Sequence, residues 1–234
     1  MKGTKHPPRT ALGTAALLAA AVFSGGLLCS CEKLDVVGAG SLRSLEQILP
    51  RLPRPVSRDE AAGGWSLAAP DNSVRFIWSA DFAESPRYDL FFEFDAAPFI
   101  AAGLDPRKLP DHYGFADEKI TVGTKLGRER FSYPGDATPL ESYRQILKLK
   151  RDSIGYHMAM DHYGISLGDG NLFEWAKDAA ANDMDIVFAL NPAPLAGAGA
   201  DPARIPGWTF TTVPADDEKG RPVRVEKLLK AFNL

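Results

Sequence analysis

The second half of this chain repeats the first, and the duplication restricts its possible folds more than any other feature. Ser44-Leu45-Glu46-Gln47-Ile48-Leu49 is matched 98 positions later by Ser142-Tyr143-Arg144-Gln145-Ile146-Leu147. Trp65 corresponds to Tyr163, and Asp71 to Asp169, at the same spacing. The run from Asp89 to Pro110 is then matched 96 positions on by Asp185 to Pro206. A two-residue drift with the order kept needs only small loop changes. Positions kept in both copies are those that one backbone requires, so the repeat speaks of architecture before chemistry.

Each copy reads as helix, three strands, short helix, two strands. Leu42, Leu45, Ile48 and Leu49 line one face of a helix opened by Ser41 and ended by Pro50 and Pro53. Thr138, Pro139 and Glu141 start the second helix, with Tyr143, Ile146, Leu147 and Ile154 as its buried stripe. Hairpins follow at 65–78 and 163–175, turning at Pro70-Asp71-Asn72 and at Gly168-Asp169-Gly170-Asn171. Tyr88 to Asp95 and Met184 to Asn191 are the most strand-like runs, with Leu90, Phe92 and Phe94 sharing one face. Short helices at 98–103 and 194–199 stop at Gly-x-Asp-Pro turns, and two more strands finish each copy. The expected fold is α+β with mainly antiparallel sheet and pseudo-twofold symmetry. Its units are 41–137 and 138–234, joined by a short link near Ser132 to Thr138, and a cleft between equivalent faces is the default ligand site.

The first thirty residues read as an export signal. Lys2, Lys5 and Arg9 precede an apolar, small-residue run from Ala11 to Leu28, and Leu28-Cys29-Ser30-Cys31 follows. That tetrapeptide resembles the lipobox of bacterial lipoproteins, with Cys29 at −2 as its departure from the commonest pattern. The resemblance implies cleavage after Ser30, lipidation of Cys31 and stable membrane anchoring by its acyl chains. An uncleaved anchor is the alternative. Residues 31–40 would be a tether loosened by Gly38 and Gly40, and Glu32 after the lipidated cysteine favours the outer membrane over the inner.

Cleavage leaves Cys31 as the sole cysteine, so no internal disulfide can form and apolar burial must hold the fold. Losing Lys2, Lys5 and Arg9 takes the formal charge from −3 to −6, without a long run of either sign. Nucleic acid is therefore not an expected partner; the membrane, a small molecule or another envelope protein are.

Duplication also works as a filter, because a polar group found in one copy only is either functional or drift. His157, Asp161 and His162 pass it, since the matching stretch at 58–65 has no histidine. His157 and Asp161 share a face in a helix or a strand, which leaves an acid–base pair open, while the spacing of His157 and His162 suits no metal. The expected ligand site joins them to the hairpin aromatics as Trp65, His157, Asp161 and Tyr163. Asp71, Asp105, Asp169 and Asp201 are expected as turn and helix caps. No nucleophile motif or phosphate loop is present, and no cofactor or metal is expected. The leading expectation is a non-catalytic binding or accessory lipoprotein of the envelope. The alternatives are an envelope hydrolase using His157 and Asp161, or a structural scaffold lipoprotein.

Overall fold

The structure, a computed structural model, describes residues 36–61, 64–79, 88–125, 138–149, 153–179, 184–216 and 221–234. It is mixed α/β, with two six-stranded antiparallel sheets and few helices. The first half contains α1 (Val36–Ile48), β1 (Ser57–Asp59), β2 (Gly64–Ala68), β3 (Val74–Ser79), β4 (Leu90–Asp95), α2 (Ala97–Ala101), β5 (Tyr113–Ala116) and β6 (Lys119–Thr124). The second contains α3 (Pro139–Leu149), β7 (Ile154–His157), β8 (His162–Ser166), β9 (Leu172–Ala176), β10 (Ile186–Leu190), α4 (Pro192–Gly197), β11 (Thr209–Asp216) and β12 (Pro222–Phe232). Sheet one runs β1-β2-β3-β4-β6-β5, and sheet two runs β7-β8-β9-β10-β12-β11. No helix among the described residues is long and apolar enough to cross a membrane.

The order helix, three strands, short helix, two strands does not describe this chain. Four strands follow each long helix, because β1 and β7 add an edge strand that pairs with β2 and β8. β1 is three residues of polar Ser-Arg-Asp, too short to show an alternation. Ile154, expected on the stripe of α3, instead opens β7. α1 also starts earlier than Ser41, so residues 36–40 of the expected tether are helical. Gly40 is there because the ring and hydroxyl of Tyr163 occupy the place a Cβ would take. Ser41 is no cap: its hydroxyl donates back to the Gly38 carbonyl at 2.9 Å and accepts from Tyr143 at 3.2 Å. The link at 132–137 and the lipidation residue Cys31 lie outside the described residues.

Both sheets and both long helices share one core. Leu90, Phe92 and Phe94 of β4 point into it, as do Ile186, Phe188 and Leu190 of β10. Phe76 of β3 stacks on Phe173 of β9 with ring centroids 4.4 Å apart, and Phe92 meets Phe188 at 5.6 Å. The long helices are cross-bonded to opposite sheets. Ser44 of α1 donates to the Ala176 carbonyl of β9 at 2.6 Å, while Ser142 of α3 accepts from the Trp78 indole of β3 at 2.9 Å. Removing either hydroxyl would leave a buried polar group without its partner.

The short helices meet in the same reciprocal way. Gly103 and Gly199, which end the turns after α2 and α4, both hold φ of +103° and face each other's carbonyl oxygens. Asp105 N–H donates to the Ala198 carbonyl at 2.9 Å, and Asp201 N–H to the Ala102 carbonyl at 2.8 Å. The Asp105 and Asp201 carboxylates each accept a backbone N–H two residues on, from Arg107 and Ala203, both at 3.1 Å. Each therefore caps a turn of 3-10 helix whose Pro at its first position fixes the backbone. Farther out, Asp71 of the β2–β3 turn pairs with Lys230 of β12, and Asp169 of the β8–β9 turn with His112 ahead of β5.

Candidate ligand cavity on the second sheet

Strand alternation gives sheet two an inner face in the shared core and an outer face with its own small apolar cluster of Val187, Ala189 and Leu229. On the outer face Gly155, Gly164 and Glu174 lie side by side across β7, β8 and β9, as Ser166, Leu172 and Ala189 do across β8, β9 and β10. The two glycines leave the sheet surface low, and a Cβ at Gly155 would meet nothing within 4 Å. Above this floor is a cavity of about 810 Å³, roofed by Val213, Pro214 and Ala215 of β11 with Val225 of β12. That volume falls within the roughly 300–1,000 Å³ of small-molecule sites.

One hydrogen bond marks how the hollow is bounded. His157 Nε2 lies 3.0 Å from the Pro214 carbonyl, although β7 and β11 are opposite edges of the sheet. Five inter-strand spacings would set those edges about 24 Å apart in a flat sheet. The sheet with its long β11–β12 ribbon therefore curls until its edges touch, and the hollow inside the curl is the cavity.

Five ionisable residues line it, Tyr156, His157, Glu174, Glu226 and Lys227, and three of them bear on its chemistry. Glu174 is buried, with 6% of its side chain exposed, and its Oε1 is 3.2 Å from His157 Nδ1. Lys227 is 7% exposed and donates to the Gly170 carbonyl. Burial pushes the Lys227 ammonium below the usual lysine range, against the opposing pull of Glu174 and Asp169. His157 sits between two acceptors, a carboxylate and a backbone carbonyl. Nδ1 faces the Glu174 carboxylate and Nε2 the Pro214 carbonyl, and the tautomer sets which of the two nitrogens donates. The pair works as a latch across the cavity rather than as a base open to substrate, since both ring nitrogens are engaged.

Of the residues expected in a ligand site, only His157 lines this cavity. Its supposed partner Asp161 lies in the β7–β8 turn at φ +52°, where it accepts from the Tyr156 hydroxyl and sits 3.6 Å from Lys177. The Tyr156 hydrogen bond holds the Asp161 carboxyl below its ordinary range, and Lys177 adds to the effect. The His157–Asp161 pair is thus not formed. Tyr163 points to the opposite face of the sheet, into the core against Tyr156 and Trp175, with centroids 5.2 and 6.3 Å away. Trp65, on sheet one, lies half-buried beside the core with the Arg58 guanidinium 5.4 Å over its ring. The structure does not bring Trp65, His157, Asp161 and Tyr163 together: Trp65 and Tyr163 pack on the core, His157 lines the outer hollow, and Asp161 is held by Tyr156 in the turn. Among the described residues, no group of three or more His, Cys, Asp or Glu side chains is placed to hold a metal ion.

Glu174 and Lys227 were the residues to find. In sheet one the three-strand row is Ser66, Ile77 and Phe91, and in sheet two it is Gly164, Glu174 and Val187, so Glu174 stands in the register of Ile77. A carboxylate between Phe173 and Trp175, against an isoleucine in the other half, is the asymmetry that singled out His157. Lys227 shares an outward strand face with Val225 and Leu229, an unusual place for an ammonium.

The neighbouring row carries a sharper contrast. In sheet one it is Ala68, Arg75 and Glu93, and Arg75 bonds Glu93 at 2.8 Å and Asp59 at 2.7 Å. In sheet two it is Ser166, Leu172 and Ala189, with His157 in the register of Asp59. Where sheet one spends this surface on ion pairs, sheet two is hollow and apolar. No family model, curated protein or solved structure matches the chain.

Proposed function

We propose that this chain is a lipid-anchored protein of a bacterial envelope, held through Cys31, and that its folded part is a non-catalytic binding or accessory module. We read the fold as a tandem duplication about a pseudo-twofold axis, one half kept as scaffold and the other hollowed into a ligand site. The export signal ending Leu28-Cys29-Ser30-Cys31 supports the anchor, and Glu32 favours the outer membrane. The like strand orders, the Gly103–Gly199 contact and the reciprocal bonds of Asp105 and Asp201 support the duplication.

The observation that carries the binding role is the exchange of Arg75 and Glu93 for Leu172 and Ala189 at equal register, where sheet two holds a hollow of about 810 Å³. Duplicated scaffolds retain what packing needs, and a concave, mainly apolar hollow with a few polar groups is what small-molecule recognition needs. Native mass spectrometry of protein extracted from membranes tests both parts. The expected spectrum shows an acylated N-terminal Cys31 together with a non-covalent small molecule. An Ala189→Phe variant, which fills the floor of the cavity, should keep the acyl groups and lose the small molecule. An unacylated Cys31 would contradict the anchor, and retention of the molecule by Ala189→Phe would contradict the cavity.

A further inference from the structure

We infer that the cavity takes a single-chain amphipathic carboxylate, with its acid group at Lys227 Nζ and its hydrocarbon over Leu172, Ala189, Val213 and Leu229. This rests on the reading of the hollow as a ligand site and adds the chemistry of the occupant. Three observations converge on it. Lys227 is an ammonium with three N–H donors, almost wholly withdrawn from water, and the Gly170 carbonyl uses one of them. Two donors remain, the number that one carboxylate can accept from a single ammonium.

The charge balance points the same way. Glu174 is a lining carboxylate whose Oε1 already faces His157 Nδ1 at 3.2 Å. Asp169 is engaged at the surface by His112, 3.1 Å away, and Glu226 is exposed at the rim, where water screens it. Lys227 has the Gly170 carbonyl as its hydrogen-bond partner and, among the described residues, no ion-pair partner. A buried charge is costly unless paired, so the ligand group that relieves the cost is an anion, and a cationic head would be repelled. Leu172, Ala189, Val213, Val225 and Leu229 give the hollow a mainly apolar wall, and the polar Ser166 and Asn191 break it only in places, so the bulk of the occupant is hydrocarbon.

Full-length protein in phosphatidylcholine nanodiscs can be titrated calorimetrically with octanoate, octanol and octylammonium, with empty nanodiscs as the blank. Octanoate should bind at least about tenfold more tightly than octanol, the worth of one charge-assisted hydrogen-bonded contact, and octylammonium should bind weakest. Lys227→Gln should erase the preference for octanoate while leaving octanol unchanged, and Lys227→Arg should restore it. Octanol or octylammonium binding as tightly as octanoate to the wild-type protein would overturn the carboxylate assignment and leave the cavity standing. The same holds for a preference that survives Lys227→Gln. Failure of all three probes to bind would overturn the cavity itself.

Discussion

Replacing Gly199 with alanine should lower folding stability by about 2–4 kcal/mol, read as a shift in the midpoint of chemical denaturation. Two costs combine at this position. A φ of +103° lies where an L side chain is strained, and the added Cβ would sit 2.9 Å from the Gly103 carbonyl oxygen. The obstacle is backbone on both sides, so no rotamer change relieves it. Gly103→Ala meets the mirror problem, with its Cβ 2.7 Å from the Gly199 carbonyl oxygen, and should cost a similar amount. The double variant should cost clearly less than the two single effects together, because the first separation of the two turns makes room for the second. A loss under about 0.5 kcal/mol from either single variant would mean that these turns are not in contact.

Phe173→Ala should be the most damaging truncation in the core, at about 3–5 kcal/mol. The ring is 2% exposed and packs on Phe76 of the other sheet at 4.4 Å, with Phe188 at 5.4 Å and Trp175 at 5.8 Å on its own. Its removal would leave a cavity where the sheets meet. Relaxation there is limited, since β9 is hydrogen-bonded on both sides. Both sheets and both helices draw on this one core, so unfolding of wild type and variant should remain a single transition by circular dichroism and by tryptophan fluorescence. Two separated transitions would show that the halves fold independently, contrary to the crossed bonds of Ser44 and Ser142.

Much of this architecture was legible in the sequence because it is written in local chemistry. The Gly-x-Asp-Pro turns could be read as helix stop and cap from residue types alone, and Asp105 and Asp201 bond their own backbone accordingly. The alternation of Leu90, Phe92 and Phe94 gave the inner face of β4 directly. β1 was hidden because three polar residues carry no period. The first turn of α1 is hidden because Gly38 and Gly40 look like linker, whereas Gly40 is small to admit Tyr163, which is far away in sequence.

The site was the least legible feature, for a topological reason. His157 stood out as an asymmetry, but its partners Glu174 and Pro214 come from β9 and from the opposite sheet edge, and no pattern local to 156–163 names them. Asp161, four residues on in sequence, is held instead by Tyr156 in the β7–β8 turn, and Glu174 stands out only in the strand register that sets it against Ile77. The enclosure itself depends on the curl of a whole sheet.

Hydrogen–deuterium exchange of the full-length protein, with and without octanoate, tests the placement of the ligand site most directly. Added protection is expected in 153–157, 164–174, 187–193, 213–215 and 225–229, the walls of the hollow on sheet two. The matching strands of sheet one, where Arg75 bridges Asp59 and Glu93, should not change. Protection confined to sheet one, or none in sheet two at saturating octanoate, would contradict the account.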